Sequence, residues 1–129
     1  MTAITYALCA GRHEIVIDGV DVTNKSVYPM TVIQPLDFPT HTQTAREFFI
    51  DLLKEEGIVE QYVKFRLVVT GLTPVLHAFL KAWFTTAPAH WELSLGHYDR
   101  ETSSYVWETL SFLAIDMSQV GKFMPYEEE

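Results

Sequence analysis

Four consecutive residues, His97, Tyr98, Asp99 and Arg100, put an imidazole, a phenol, a carboxylate and a guanidinium into one short stretch of chain. Histidine can move a proton near neutral pH, and arginine can hold a phosphate through two hydrogen bonds at once. A second segment, Thr70-Gly71-Leu72-Thr73-Pro74, has the composition of an anion-binding turn. Gly71 permits close backbone approach, Thr73 can cap a helix, and Pro74 suits a first helical position, where no donor is needed. A helix starting there would offer free N–H groups and the positive end of its dipole to a phosphate. Both segments also have plainer readings. The first makes a surface hairpin with a turn-forming aspartate, and the second an ordinary strand-to-helix turn.

The remaining candidates are scattered. His90 precedes a strand-like run, and Arg12, His13 and Glu14 follow the first apolar run. His77 and Lys81 are four apart and read as the polar face of a helix. His41 has no evident partner. Cys9, the single cysteine, lies in an apolar run and reads as a buried thiol. One cysteine and no zinc-spaced histidine pair leave no metal site in the pattern. A phosphate-loop lysine motif, a dinucleotide glycine fingerprint and a serine nucleophile elbow are all missing from the sequence. The expectation is therefore no metal and no cofactor.

The elements that would position these residues are legible in the apolar spacing. Ile4 to Ala10 reads as a buried first strand, with His13 to Ile17 resuming extended structure before an Asp18-Gly19 turn. Val27 to Ile33 is β-rich, with Pro29 arguing for an edge position or a late strand start, and Pro35 and Pro39 mark a loop. Thr44 and Glu47 have capping-box spacing, which predicts a helix start there. Phe48, Phe49, Leu52 and Leu53 give that helix its apolar stripe, and Gly57 its stop. Val63 to Thr70 alternates as a strand. Val75, Leu76, Phe79, Leu80, Trp83 and Phe84 give the helix after Pro74 a wide apolar face. Trp91, Leu93, Leu95 and His97 share one face of the next strand, and Tyr105 to Phe112 returns as another. Trp83, Trp91 and Trp107 fall on apolar faces and read as core or subunit interface. Strand, helix and strand in that order imply a crossover with parallel pairing, and the short polar loop from Asp99 to Ser104 implies an antiparallel hairpin. The expectation is one α/β (α+β) domain over residues 1–129, in the order ββαβαββ. Its mixed sheet has about five strands and two helices, and Glu127 to Glu129 form a solvated tail.

The whole chain constrains the partners. It has 129 residues, 17 acidic against 9 basic side chains, and 48% apolar residues. A net charge of −8 argues against a general nucleic-acid coat, because neutralising phosphates needs a basic surface. The apolar content excludes intrinsic disorder and, in so short a chain, points to a homodimer or higher oligomer. No apolar run reaches membrane-spanning length and no leader pattern opens the sequence, so a cytoplasmic protein is expected.

Over Arg66 to Trp107 the order of these pieces resembles the small CRISPR-associated ring nucleases, which bind and cut cyclic oligoadenylate. The matching pieces are Leu67-Val68-Val69-Thr70-Gly71-Leu72-Thr73-Pro74 and His97-Tyr98-Asp99-Arg100, with His90 standing where the family has a histidine shortly before its Asp–Arg loop. The resemblance implies a ligand held by Thr70, Gly71, Thr73, Pro74 and Arg100. In the catalytic version, His90 or His97 would orient or activate a ribose 2′-hydroxyl and Asp99 would orient its neighbours. Arg100 and the helix end would stabilise the phosphorane charge. Three classes remain: a metal-independent ring nuclease, a non-catalytic sponge or sensor of the same messenger, and a protein-interaction subunit without a small ligand, such as an immune inhibitor.

Overall fold

A computed structural model describes residues 2–11, 13–29, 34–71 and 73–110. The described chain runs β1 (Thr2–Cys9), β2 (Val16–Ile17), β3 (Val20–Asp21), β4 (Ser26–Tyr28), α1 (Phe38–Leu53), β5 (Val63–Val68), α2 (Thr73–Thr86), β6 (Glu92–Asp99) and β7 (Ser104–Leu110). Five strands form one sheet in the order β4-β1-β5-β6-β7, and β2 and β3 pair separately. Within the five-stranded sheet β1 runs parallel to both β4 and β5, β5 runs parallel to β6, and β7 is antiparallel to β6. This is the mixed five-stranded sheet with two helices that the apolar spacing implies.

Alternation along the strands sorts the side chains onto two faces. Phe65 and Leu67 of β5 and Leu93 and Leu95 of β6 join Leu8 under both helices, where they meet Phe49 of α1 and Val75, Phe79 and Trp83 of α2. Aromatic rings dominate this core. Phe49 stands 5.3 Å from Phe79 and 5.5 Å from Trp83, and Phe65 stands 5.6 Å from Trp83, in tilted or edge-on contacts of the kind ring quadrupoles favour. The opposite face is covered by the β2–β3 hairpin. Ile15, Ile17 and Val22 bury against Ala7 and Val68 there. Asp18 and Gly19 form the hairpin turn with φ of 51° and 79°, the positive values that a two-residue turn needs to match the strand twist.

Several boundaries differ from those the sequence predicts. Helix α1 starts at Phe38, well before the Thr44–Glu47 pair. Asp37 is its cap, accepting hydrogen bonds at 3.4 Å from the Thr40 amide and at 2.8 Å from the Thr40 hydroxyl. Pro39 occupies the first turn, where its missing N–H costs nothing. Thr44 lies inside the helix and returns its hydroxyl to the Thr40 carbonyl at 3.1 Å, so its capping-box spacing is coincidental. The helix ends at Leu53, and Gly57 follows in the turn before β5 with φ 75°. Strand β4 stops at Tyr28, before Pro29, and residues 30–33 lie outside the described residues. So do the Phe112 end of the last strand and the Glu127–Glu129 tail. No helix among the described residues is long and apolar enough to cross a membrane.

The cap assignment predicts that Asp37→Ala lowers stability by about 1 kcal/mol while Thr44→Ala changes it by a few tenths. Urea unfolding midpoints of the two variants check this ordering.

Candidate functional site

An open α/β sheet forms a crevice where successive connections leave by opposite faces. In this chain that place is the carboxyl end of β1 and β5. The link from β1 to β4 passes through the hairpin on one face, and the link from β4 to β5 passes through α1 on the other. The two strand ends then follow different neighbours. Beyond Cys9, the amides of Ala10 and Gly11 bond to Tyr28 and Thr23 carbonyls on the β4 side, each at 3.1 Å, whereas Val69 bonds to Gly96 of β6 at 2.9 Å. Thr70 spans the gap. Its hydroxyl donates to the Cys9 carbonyl at 2.6 Å and accepts from the Cys9 amide at 3.1 Å, replacing a rung of the ladder.

Above this divergence lies a cavity of about 1160 Å³, slightly larger than the usual small-molecule site of roughly 300–1,000 Å³. Its walls come from three places. Cys9, Ala10 and Gly11 end β1, and His13 to Asp18 lead into and along the hairpin. Thr70 and Gly71 contribute the turn after β5, and Tyr98, Ser103, Ser104, Tyr105 and Trp107 the opposite side. That last side is aromatic. Tyr98 and Tyr105 meet edge-on at 5.3 Å between centroids, and Tyr105 and Trp107 lie 6.5 Å apart. Burial, then the neighbouring Tyr98, push the Tyr105 phenol above its ordinary pKa, and a protonated phenol can donate a hydrogen bond.

Two glycines shape these walls. Gly71 has φ 87°, and a Cβ there would stand 2.7 Å from Cys9 Sγ. The turn is therefore pressed against the end of β1, and only glycine fits both the space and the conformation. Gly96 sits directly across from Trp107 in the β6–β7 ladder, and a Cβ there would stand 2.7 Å from the indole ring. The missing side chain lets the indole lie across the neighbouring strand. On the same sheet face, the Arg66 guanidinium stacks over the Trp107 ring with 5.2 Å to its centroid. Arg66 also donates to the Thr5 hydroxyl at 3.0 Å and pairs with Asp18 at the hairpin tip at 2.9 Å.

The structure brings together some of the residues that sequence reasoning singles out and separates others. Thr70 and Gly71 line the cavity, as do His13 and Glu14, while Arg12 lies outside the described residues. Thr73 faces elsewhere, onto a shallow apolar groove along the outer side of α2 with Leu76, Leu80 and Phe84. Pro74 is half-buried in the first turn of α2, away from the cavity. Of the run 97–100 only Tyr98 lines the cavity, because alternation turns His97 to the other face. Asp99 forms the hairpin turn, accepting from the Glu101 amide at 3.0 Å and the Thr102 hydroxyl at 3.1 Å. Arg100 is exposed in that turn. His90 lies before the other end of β6, its ring bonded to the Val59 carbonyl at 2.7 Å. Eight residues of strand, about 25 Å, separate it from the cavity end. His41 is buried, with its ring on the Gln34 carbonyl at 3.0 Å, and His77 packs against Phe38.

Sequence reasoning missed Arg66 and the aromatic side of the cavity. Trp83 and Trp91 are core residues, but Trp107 belongs to the cavity wall. The signal was present in the alternation of Tyr105 and Trp107 on one face of β7, opposite a glycine in β6. Among the described residues no cluster of three or more His, Cys, Asp or Glu side chains could hold a metal ion. No known family model, curated protein or solved structure matches the chain.

Gly71 and Gly57 both have positive φ, but only Gly71 also lacks room for a Cβ. Gly57→Ala should cost about 1 kcal/mol, the usual left-handed penalty, and Gly71→Ala clearly more. Chemical denaturation of the two variants, run side by side, measures the difference.

Proposed function

We propose that this cavity is a nucleotide-binding cleft and that the chain recognises an adenine-bearing messenger of the cyclic oligoadenylate class. The observation that carries the reading is the aromatic side formed by Tyr98, Tyr105 and Trp107 at the carboxyl end of the parallel strands. Each nucleobase presents a flat π-face, and stacking one on an aromatic side chain contributes roughly 1–3 kcal/mol. The Tyr105 phenol and the Ser103 and Ser104 hydroxyls supply polar groups that can read base edges or ribose hydroxyls. The resemblance of residues 66–107 to the ring nucleases supports the same ligand class.

Recognition without cleavage is the version that the placement of the histidines favours. His90 is remote from the cleft, His97 faces away from it, and the Asp99 carboxylate is engaged in its own turn. The chain then acts as a sensor or sponge, and His13 is the one imidazole on the cleft wall among the described residues. Self-association belongs to the same reading. β7 ends the described sheet with Val106 57% exposed, no described strand pairs with its outer edge, and an edge without proline or lysine can pair with a second copy.

Calorimetry with cyclic tetra-adenylate and cyclic hexa-adenylate, against linear oligoadenylate, tests the reading. Binding of a cyclic species is expected, with Tyr98→Ala weakening it about tenfold, the equivalent of one lost stack, and Arg100→Ala weakening it less. Chromatography of the same mixtures should show uncut ligand. No binding by the wild type would leave the protein-interaction class as the better reading. Light scattering at tens of micromolar should give at least a dimer mass, and a monomer would remove the self-association.

A further inference from the structure

The cleft holds no lysine or arginine among its described lining residues, and its acidic members are Glu14 and Asp18. A nucleotide brings phosphate, and among the described residues one cation stands just behind the wall in contact with two wall groups. Arg66 is that cation. It is not a wall residue, but two of the groups it touches, Asp18 and the Trp107 ring, both are. We infer that Arg66 is the phosphate contact of the cleft, and that Asp18 occupies it as an internal competitor which the phosphate of a ligand displaces.

Three features support the exchange. First, Arg66 is held in place without Asp18. Its Nε donates to Thr5 at 3.0 Å and its guanidinium lies over the Trp107 ring, so little side-chain freedom is left to lose when a ligand arrives. Second, Asp18 is easily released. Its side chain is 75% exposed while that of Arg66 is 21% exposed, and an ion pair with one partner so open to water contributes little net stability. Swung away, the carboxylate returns to water, so no buried charge is left unpaired. Third, phosphate is the better partner. It offers several oxygens to the planar fork of N–H donors, in a geometry that suits two bonds at once. A base stacked on the aromatic side would then place its phosphate at the Trp107–Asp18 end. The same ion pair ties the hairpin tip to the sheet, so occupancy also frees the tip.

The inference rests on the nucleotide reading for its base contact alone, and the experiment separates the two. Adenosine, adenosine 5′-monophosphate and inorganic pyrophosphate are titrated into the wild type, Asp18→Asn and Asp18→Glu. Asparagine keeps the shape and tolerates the positive φ of Asp18, and glutamate keeps the charge. Asp18→Asn should bind the monophosphate and pyrophosphate about tenfold more tightly than wild type, as one charge-assisted contact allows. Adenosine should stay within twofold, and Asp18→Glu should gain for neither anion. Adding Arg66→Met to Asp18→Asn should abolish the gain. If that double variant does not fold, the asparagine–glutamate contrast decides alone. An equal gain for adenosine, or no gain for either anion, overturns the exchange. Failure of adenosine and the monophosphate to bind, with the pyrophosphate gain intact, overturns the base reading and leaves Arg66 as an anion site.

Discussion

β1 has a parallel partner on each side, and both ladders cannot continue to the end of the strand. Its neighbours are reached by connections on opposite faces of the sheet, so β4 draws the end of β1 one way while β6 draws the end of β5 the other. The strands part after Ala7 and Val68, the last pair of their register. What opens between them would be a line of unsatisfied backbone groups, which is costly when withheld from water. Thr70 answers part of that cost with one hydroxyl that both donates to and accepts from Cys9. The cleft exists because the sheet is forced to divide there and a side chain repairs the division.

The two faces of the sheet have different physical characters, and the difference explains where a ligand can sit. Under the helices the core is a dense cluster of rings around Phe49, Phe65, Phe79 and Trp83. Under the hairpin the cover is thin, and few apolar residues are buried. Polar and aromatic contacts complete that side: Arg66 between Thr5, Asp18 and Trp107, and Ser94 bonded to Thr109 at 2.8 Å. A rigid layer thus supports an adaptable one. The hairpin itself is short, and Asp21 braces its exit by accepting from the Thr23 amide and hydroxyl at 2.9 and 2.6 Å. Those bonds hold the Asp21 carboxyl below its usual pKa. The bracing is therefore present above the ordinary carboxylate range and is lost as the pH falls through the lowered value.

Trp107 links the layers. It needs Gly96 beneath it, Arg66 above it and Tyr105 beside it, and those residues come from β6, β5 and β7. A substitution at any one of them changes the shape of the cleft without touching the helical core. That separation between a stability layer and a site layer is what lets the site be probed by point variants.

Much of the fold was legible in local patterns. Strand alternation at Val63 to Val68, the Asp18-Gly19 turn and the apolar face of α2 each depend on residues close in sequence, whose geometry is set by backbone periodicity. Helix α1 shows where local reading fails: two capping patterns compete between Asp37 and Glu47, and the earlier wins because Pro39 is accommodated in a first turn and Thr44 need not cap. The candidate site was legible in pieces, at Thr70, Gly71, His13 and Tyr98, but not as a set. Its defining contact joins Cys9 to Thr70 across 61 residues, and the run from His97 to Arg100 divides because successive strand residues face opposite ways. Sequence alone determined most of the elements, the parallel sense of β5 with β6, the antiparallel sense of β6 with β7 and the acidic balance of the chain. Only the tertiary structure decided which strand ends part, which arginine stands behind the cleft and which tryptophan lines it, because those outcomes depend on crossovers that bring distant residues to one edge of one sheet.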